Sequence, residues 1–329
     1  MVQPLREFAN MDHSSEFCCY LDGQPDHLTP EHQLQNYWTE DLEGHPLFLN
    51  KHCHFTRAGE LPQELAGEAW LTDGFASMQD MAWIRDSVTG ALQPFWLQPQ
   101  VKSMLANVQD GKSVSVSDKQ YVYSLAMASI LIPRDYEATR QQQLTTQLTR
   151  CSDQVRRLGY APIAGLLHPF HISALRRYYR SLIRRGKLTL GDTQSSRRYH
   201  AHNDRVARFF HFQLATSVSA IVGQPVKPSY VYFASYQGGA FLEKHTDRVQ
   251  CEFSITLCLD YSPEPSRQTP WPIQLHTPSG ITTVYQAIGD GLVYLGCKVP
   301  HSRGVLPVGH TSSSLFLHYV PEGFTGTLD

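Results

Sequence analysis

No CxxC pair occurs among the seven cysteines, Cys18, Cys19, Cys53, Cys151, Cys251, Cys258 and Cys297, so neither a zinc ribbon nor a thioredoxin-like redox motif is present. Their odd number argues against a closed disulfide framework. They read as reduced thiols of a cytoplasmic protein, with Cys251 and Cys258, which lie in apolar runs, as small core residues. Neither sign of charge dominates: 28 basic residues face 30 acidic ones, which gives no reason to expect a nucleic-acid backbone or an anionic membrane as partner. The first thirty residues include Asp, Glu and His without a continuous apolar stretch, so neither a signal peptide nor a membrane helix is expected. Internal repeats and low-complexity segments are missing too. What is left is a chain of 329 residues, long enough to bury a substantial core without covalent staples.

Its texture changes along its length. Residues 1–60 are polar and irregular, with isolated aromatics such as Tyr37, Trp38 and Phe48. His52-Cys53-His54 is too short to close a four-ligand zinc site and has no partner nearby in the sequence, so it is read as structural. Residues 61–113 show poor periodicity, and 118–132 read as a buried helix or strand closed by Pro133. Leu144, Leu148 and Val155 at roughly helical spacing predict a polar connecting helix over 136–158. A short strand and turn follow from Gly159. A second helix is predicted over 172–185, ending at Gly186, with Leu175, Tyr178, Tyr179, Leu182 and Ile183 as its apolar stripe. Its arginines, Arg176, Arg177, Arg180, Arg184 and Arg185, are read as a solvated face, since no nucleic-acid reader motif accompanies them. A third helix, over 205–222, is largely apolar.

From residue 230 onward the pattern is β. Strand-like runs at 230–236, 240–247, 251–259, 271–276, 282–286, 292–299 and 313–320 are separated by turn sequences such as Ser-Pro-Glu-Pro and Thr-Pro-Ser-Gly. So many short strands with few helices between them predict an antiparallel jelly roll or barrel. Together with the helices before it, this makes the chain α+β. Residues 151–329 are expected to form the jelly-roll domain, and residues 1–150 a mixed, largely helical region, either a lid or docking element or a buttress.

Within this half, Tyr236 to Asp247 ends in a His-x-Asp pair that strand chemistry does not require. Alternate side chains of a strand share a face, so His245 and Asp247 can offer an imidazole and a carboxylate to one metal ion. His301, in Lys-Val-Pro-His-Ser-Arg-Gly, is the candidate third ligand. Two imidazoles and one carboxylate leave positions open on the metal, the facial set of non-haem Fe(II) oxygenases, whereas a structural zinc site would carry four protein ligands. Lys244 and Arg248 fall on the other strand face and are expected to be exposed.

These residues carry a resemblance. The pattern Tyr-x-x-Gly-x-x-x-x-x-His-x-Asp, met by Tyr236, Gly239, His245 and Asp247, with His301 as distal histidine and Gly-Asp-Gly at 289–291, resembles the double-stranded β-helix core of the 2-oxoglutarate and Fe(II)-dependent oxygenases, in their prolyl-4-hydroxylase-like branch. The resemblance covers residues 230–321 and extends back to the strand and helix at 159–186. It implies Fe(II) held by His245, Asp247 and His301, 2-oxoglutarate and dioxygen as co-substrates, and hydroxylation of an unactivated C–H bond of an amino acid, peptide or small metabolite. In halogenating relatives the carboxylate is replaced by a small residue; Asp247 therefore points to hydroxylation or a related C–H oxidation.

In one respect the chain departs from the branch. A basic residue nine or ten positions after the distal histidine usually pairs with the far carboxylate of 2-oxoglutarate, and here those positions are His310 and Thr311. Arg303 is the nearest permanent cation and the expected substitute, with Ser312 and Ser314 as hydroxyl donors and Tyr236 as a hydrogen-bonding partner of co-substrate or substrate. The missing anchor leaves two other readings open: a non-catalytic jelly-roll binding protein, and a cupin-type metalloenzyme that does not use 2-oxoglutarate.

Overall fold

The computed structural model describes residues 16–21, 46–105, 108, 112–113 and 119–329. Tyr37 and Trp38 lie outside them. In the N-terminal part, β1 (Phe48–Leu49) is followed by β2 (Cys53–Thr56), β3 (Met81–Arg85) and β4 (Leu92–Trp96), the last three forming an antiparallel sheet. Next come the helices α1 (Pro99–Leu105) and α2 (Lys119–Met127), and then β5 (Leu131–Ile132), which pairs back onto β1. The long helix α3 (Tyr136–Leu158) runs across position 150. It buries Leu144, Leu148, Cys151 and Val155 and stops at Gly159, whose left-handed backbone (φ 80°) lets its N–H cap the Val155 carbonyl.

After α3, β6 (Tyr160–Ile163) leads into α4 (Pro169–Arg184), whose N-terminus is capped by His168 and opens with a proline. Two short strands, β7 (Thr189–Leu190) and β8 (Arg198–His202), precede helices α5 (Arg205–Gln213) and α6 (Ala215–Val222). The helix predicted over 205–222 is thus two helices, meeting at Leu214. Eight strands complete the chain: β9 (Val226–Gln237), β10 (Leu242–His245), β11 (Phe253–Ser262), β12 (Ile273–Thr277), β13 (Gly280–Val284), β14 (Gly291–Leu295), β15 (His301–Arg303) and β16 (Thr311–Pro321). His301 opens a strand of its own, after the run predicted over 292–299.

These eight strands alternate between two antiparallel sheets. One has the order β10-β15-β12-β13; the other, of seven strands, has the order β6-β14-β11-β16-β9-β8-β7. Chain order and sheet order together describe a double-stranded β-helix: β9, β11, β14 and β16 build one wall, β10, β12, β13 and β15 the other. The fold is α+β, as the sequence predicts.

The period-2 alternation of the larger sheet sends its odd-numbered residues, such as Val231, Phe233, Ile255, Leu257, Leu315 and Leu317, to the main core beneath the helices. Tyr179 of α4 stacks on Phe233 with ring centroids 3.8 Å apart. The N-terminal part joins the same core, with Phe17, Phe75 and Trp83 meeting Phe209 and Phe210 of α5, and Trp96 packing behind them on Phe17 and Phe75. A separate, smaller apolar cluster, Ile273, Leu275, Val284, Leu292, Tyr294 and Val299, lies inside the barrel.

One face read as solvated is partly buried. Arg176 of α4 is 4% exposed and ion-pairs with Asp260 and Glu264, and Arg180 also bonds to Asp260. The cause is an irregularity in β11 between Cys258 and Asp260, which sets Asp260 opposite Ser313, on the side where the helices pack.

Candidate metal centre and its cavity

The wall strands bring His245, Asp247 and His301 together at one end of the barrel, with one ligand atom from each lying within 4.8 Å of the others. β10 and β15 pair antiparallel with His245 opposite His301, and β10 ends at His245, so Asp247 is placed just past the strand. Asp247 Oδ1 lies 3.9 Å from His245 Nε2 and 3.6 Å from His301 Nε2, too far for a direct hydrogen bond.

The second nitrogen of each imidazole is already engaged. His245 Nδ1 is 2.8 Å from the Glu243 carbonyl and His301 Nδ1 3.1 Å from that of Val299. A carbonyl only accepts, so both Nδ1 atoms carry the proton and both Nε2 atoms present lone pairs toward Asp247. Burial also holds the His301 pKa below its ordinary value, keeping the ring neutral. The far oxygen of Asp247, Oδ2, accepts from Ser254 Oγ at 2.9 Å, leaving Oδ1 for the space between the histidines. This orientation by outer hydrogen bonds is the usual accompaniment of a metal site. The donor set fits a divalent iron with open positions, and His245, Asp247 and His301 are the residues that would hold it.

Gly296 is a site residue that sequence reasoning missed. A Cβ there would lie 2.2 Å from the Cys251 carbonyl oxygen, 2.6 Å from Asp247 Oδ2 and 2.7 Å from Ser254 Oγ. Its carbonyl accepts from the Asp247 N–H at 3.0 Å. Only glycine lets β14 end this close to the carboxylate.

The triad opens onto a cavity of about 540 Å³. Arg303, two residues from His301 and on the same face of β15, lines its inner part and is 6% exposed. Its guanidinium stacks on Trp271 at 4.8 Å and donates to the Trp271 carbonyl at 2.7 Å, with Gln286 Oε1 at 3.4 Å. No carboxylate of the described residues forms an ion pair with it, and burial lowers its pKa from the usual arginine value. A buried cation without an anion is costly, and a bound carboxylate would offset that cost.

Tyr236 lies beside it, fully buried, packed on Trp271 at 5.1 Å and accepting from Arg198 Nη1 at 3.0 Å. Burial raises its pKa, so the phenol keeps its proton, and with its oxygen already accepting, that proton is free to be donated. Ser312 and Ser314 are buried on β16, opposite Tyr236 and Ala234, but are not among the cavity's lining residues. On the same face of that strand the longer side chains of Phe316 and His318 reach the cavity instead.

The remaining walls were not legible as motifs. Arg198 of β8 is ion-paired to Asp192, which also accepts from Tyr232; partial burial opposes ionisation, but the bonds from Tyr232 and Arg198 prevail and hold the Asp192 carboxyl at about 2. His318 is 5% exposed, and burial pushes its pKa down to about 4. Lys244 is exposed; Arg248, also exposed, nevertheless turns over the rim, its guanidinium 4.9 Å from the Tyr230 ring. Among the described residues, none before Asp192 lines the cavity, so the described N-terminal segments back the far side of the sheet.

No family model matches the chain, and no curated protein does. Solved structures do, over about half of it, and several of them are described as α-ketoglutarate-dependent or 2OG-Fe(II) enzymes. A prolyl-4-hydroxylase from Pseudomonas putida is 22% identical, with 54% of this chain and 100% of that one covered and a TM-score of 0.44. The non-haem α-ketoglutarate-dependent epimerase SnoN of nogalamycin biosynthesis is 15% identical over 54% of this chain and 83% of its own, with a TM-score of 0.45. An oxidoreductase of the 2OG-Fe(II) oxygenase family from Burkholderia pseudomallei is 11% identical over 52% and 89%, with a TM-score of 0.40.

Proposed function

We propose that this chain is an Fe(II)- and 2-oxoglutarate-dependent dioxygenase that hydroxylates a C–H bond of an amino acid, peptide or other small metabolite in the cytoplasm. One observation carries the reading: the His245, Asp247 and His301 ligand set and the buried, anion-free guanidinium of Arg303 open into a single cavity. A dicarboxylate with a 2-oxo group needs both, a metal to chelate at one end and a cation for the other. A non-catalytic or cupin-type protein would use Arg303 for some other anion, so oxygen-dependent turnover of 2-oxoglutarate is what separates this reading from those two.

Bound iron supplies the redox chemistry that couples oxidative decarboxylation of 2-oxoglutarate to oxidation of the substrate. The protein's residues set the geometry. His245 and His301 present Nε2, each ring fixed by its bond to a backbone carbonyl, and Ser254 fixes Asp247. Arg303 and the Tyr236 hydroxyl bind the far carboxylate of the co-substrate, and Trp271 holds both side chains in place. Arg198 orients Tyr236 by occupying its acceptor lone pair.

The test is succinate formation from 2-oxoglutarate with Fe(II), in air and under anaerobic conditions. Oxygen-dependent turnover is expected from the wild type and none above background from His245→Ala or Asp247→Ala. Turnover that survives both substitutions would remove the triad from the reaction.

A further inference from the structure

Once Arg303 and Tyr236 are assigned to the co-substrate, the outer part of the cavity still contains polar groups without a task. This step rests on the oxygenase reading. The most constrained of these groups is His318. Its Nδ1 lies 2.9 Å from Ser254 Oγ, and the same hydroxyl is 2.9 Å from Asp247 Oδ2 and 3.2 Å from the Cys251 carbonyl. A carboxylate and a carbonyl can only accept, so the single Ser254 proton is directed to them, and the oxygen must accept from His318 Nδ1–H. The tautomer is thereby set: His318 Nε2 carries a lone pair, has no hydrogen bond to another described residue, and faces the cavity that the otherwise buried ring lines.

The second group is Arg248. It follows Asp247 in the chain, lies over one side of the Tyr230 ring, and has no carboxylate within ion-pair distance among the described residues. Asp329 lies in its field, but that carboxylate is bonded to His202 Nε2 at 2.9 Å. The cavity's other outer cation, Arg198, is neutralised by Asp192. Tyr230 also meets the His318 ring, at 4.6 Å, so one aromatic side chain seats both the acceptor and the cation.

We propose that the primary substrate is a small carboxylic acid that also bears an N–H or O–H donor, with its carboxylate held by Arg248, its donor by His318 Nε2, and its body against Tyr230, Tyr232 and Phe316. An amino acid, a hydroxy acid and the C-terminal residue of a short peptide share this chemistry. The arrangement discriminates in two ways. An acceptor on the cavity wall favours a ligand that brings it a donor, and a rim guanidinium selects the acid over its amide. Size agrees, since a cavity of about 540 Å³ shared with a five-carbon diacid leaves room for a molecule of similar bulk and not for a folded partner.

The experiment is calorimetric titration of the full chain loaded with Mn(II) and 2-oxoglutarate. The probes are the twenty L-amino acids, their N-acetyl derivatives, the corresponding amides, and lactate as a hydroxy acid. At least one acid is expected to bind, with its amide weaker by about tenfold or more. Arg248→Gln should erase that difference and Arg248→Lys keep part of it, while both variants retain 2-oxoglutarate binding, which certifies their fold. His318→Leu should weaken the acid and the amide alike. Preference for free over N-acetylated acids identifies a free metabolite; the reverse identifies a peptide end. The proposal is overturned if no acid binds protein that holds 2-oxoglutarate, if acid and amide bind equally, or if Arg248→Gln leaves their ratio unchanged. Absence of 2-oxoglutarate binding in the same titrations would instead overturn the oxygenase reading.

Discussion

On one face of the seven-stranded sheet, Val231, Phe233, Ile255, Leu257, Leu315 and Leu317 are sealed against helices; on the other, the same strands send Tyr230, Tyr232, Ser254, Phe316 and His318 into the barrel. The helix side is apolar and continuous with the N-terminal segments, whereas the barrel side has a six-residue apolar cluster and a cavity edged by charge. A strand's period of two lets one stretch of sequence serve both purposes, each residue committed to one. Stability should therefore be concentrated on the outer face and ligand binding on the inner one, and substitutions on the two faces should separate cleanly.

The largest effect is expected on the helix side. Phe233→Ala removes a fully buried ring stacked on Tyr179 and should destabilise the fold by about 3–5 kcal/mol in urea unfolding, while the folded fraction still binds metal. Next comes acid. His171 and His211 are wholly buried beneath the sheet, where burial lowers their pKa values to about 4 and about 3, against 6.5 for the exposed ring. Between those values and 6.5 the unfolded chain binds protons that the folded chain refuses, so stability is full above pH 6.5 and falls as the pH drops toward 4. By pH 5 the loss should be roughly 2 kcal/mol per histidine. Unfolding followed at a series of pH values checks this, and His171→Phe should reduce the slope.

Two substitutions on the barrel side should invert the pattern. Arg303→Gln is expected to weaken 2-oxoglutarate binding by about 1.5–3 kcal/mol, the worth of a charge-assisted bond, with Mn(II) affinity unchanged. Ser254→Ala frees Asp247 Oδ2 and should lower metal affinity by about 10–100-fold, with a smaller loss of stability than Phe233→Ala, about 1–3 kcal/mol for the His318 N–H it leaves unpaired. If instead Phe233→Ala abolished metal binding in folded protein, or Ser254→Ala collapsed the fold, the two faces would not be separable.

Much of this was legible in the chain itself, for reasons particular residues make plain. The helix at 136–158 and the run of short strands declare themselves by period and by turn residues; His245 and Asp247 sit at the spacing that puts two ligands on one strand face, and Tyr236, Gly239 and His301 are picked out by the family pattern they resemble. What stayed hidden depends on pairing across sheets. Ser254 and His318 meet only because β11 and β16 are in register at those two residues, and Arg198 reaches Tyr236 because β8 pairs with β9 there. Gly296 looks like any strand-end glycine until the Asp247 carboxylate is placed beside it. Arg176 was read as solvated because the irregularity that turns Asp260 toward it leaves no mark in the local sequence.

The central claim is that one cavity holds a metal on His245, Asp247 and His301 and a dicarboxylate on Arg303. Calorimetric titration of 2-oxoglutarate into the protein with and without Mn(II), for wild type and Asp247→Ala, addresses it most directly. The account predicts binding that requires the metal and is lost in Asp247→Ala; equal binding with and without metal, or undiminished binding to that variant, would contradict it.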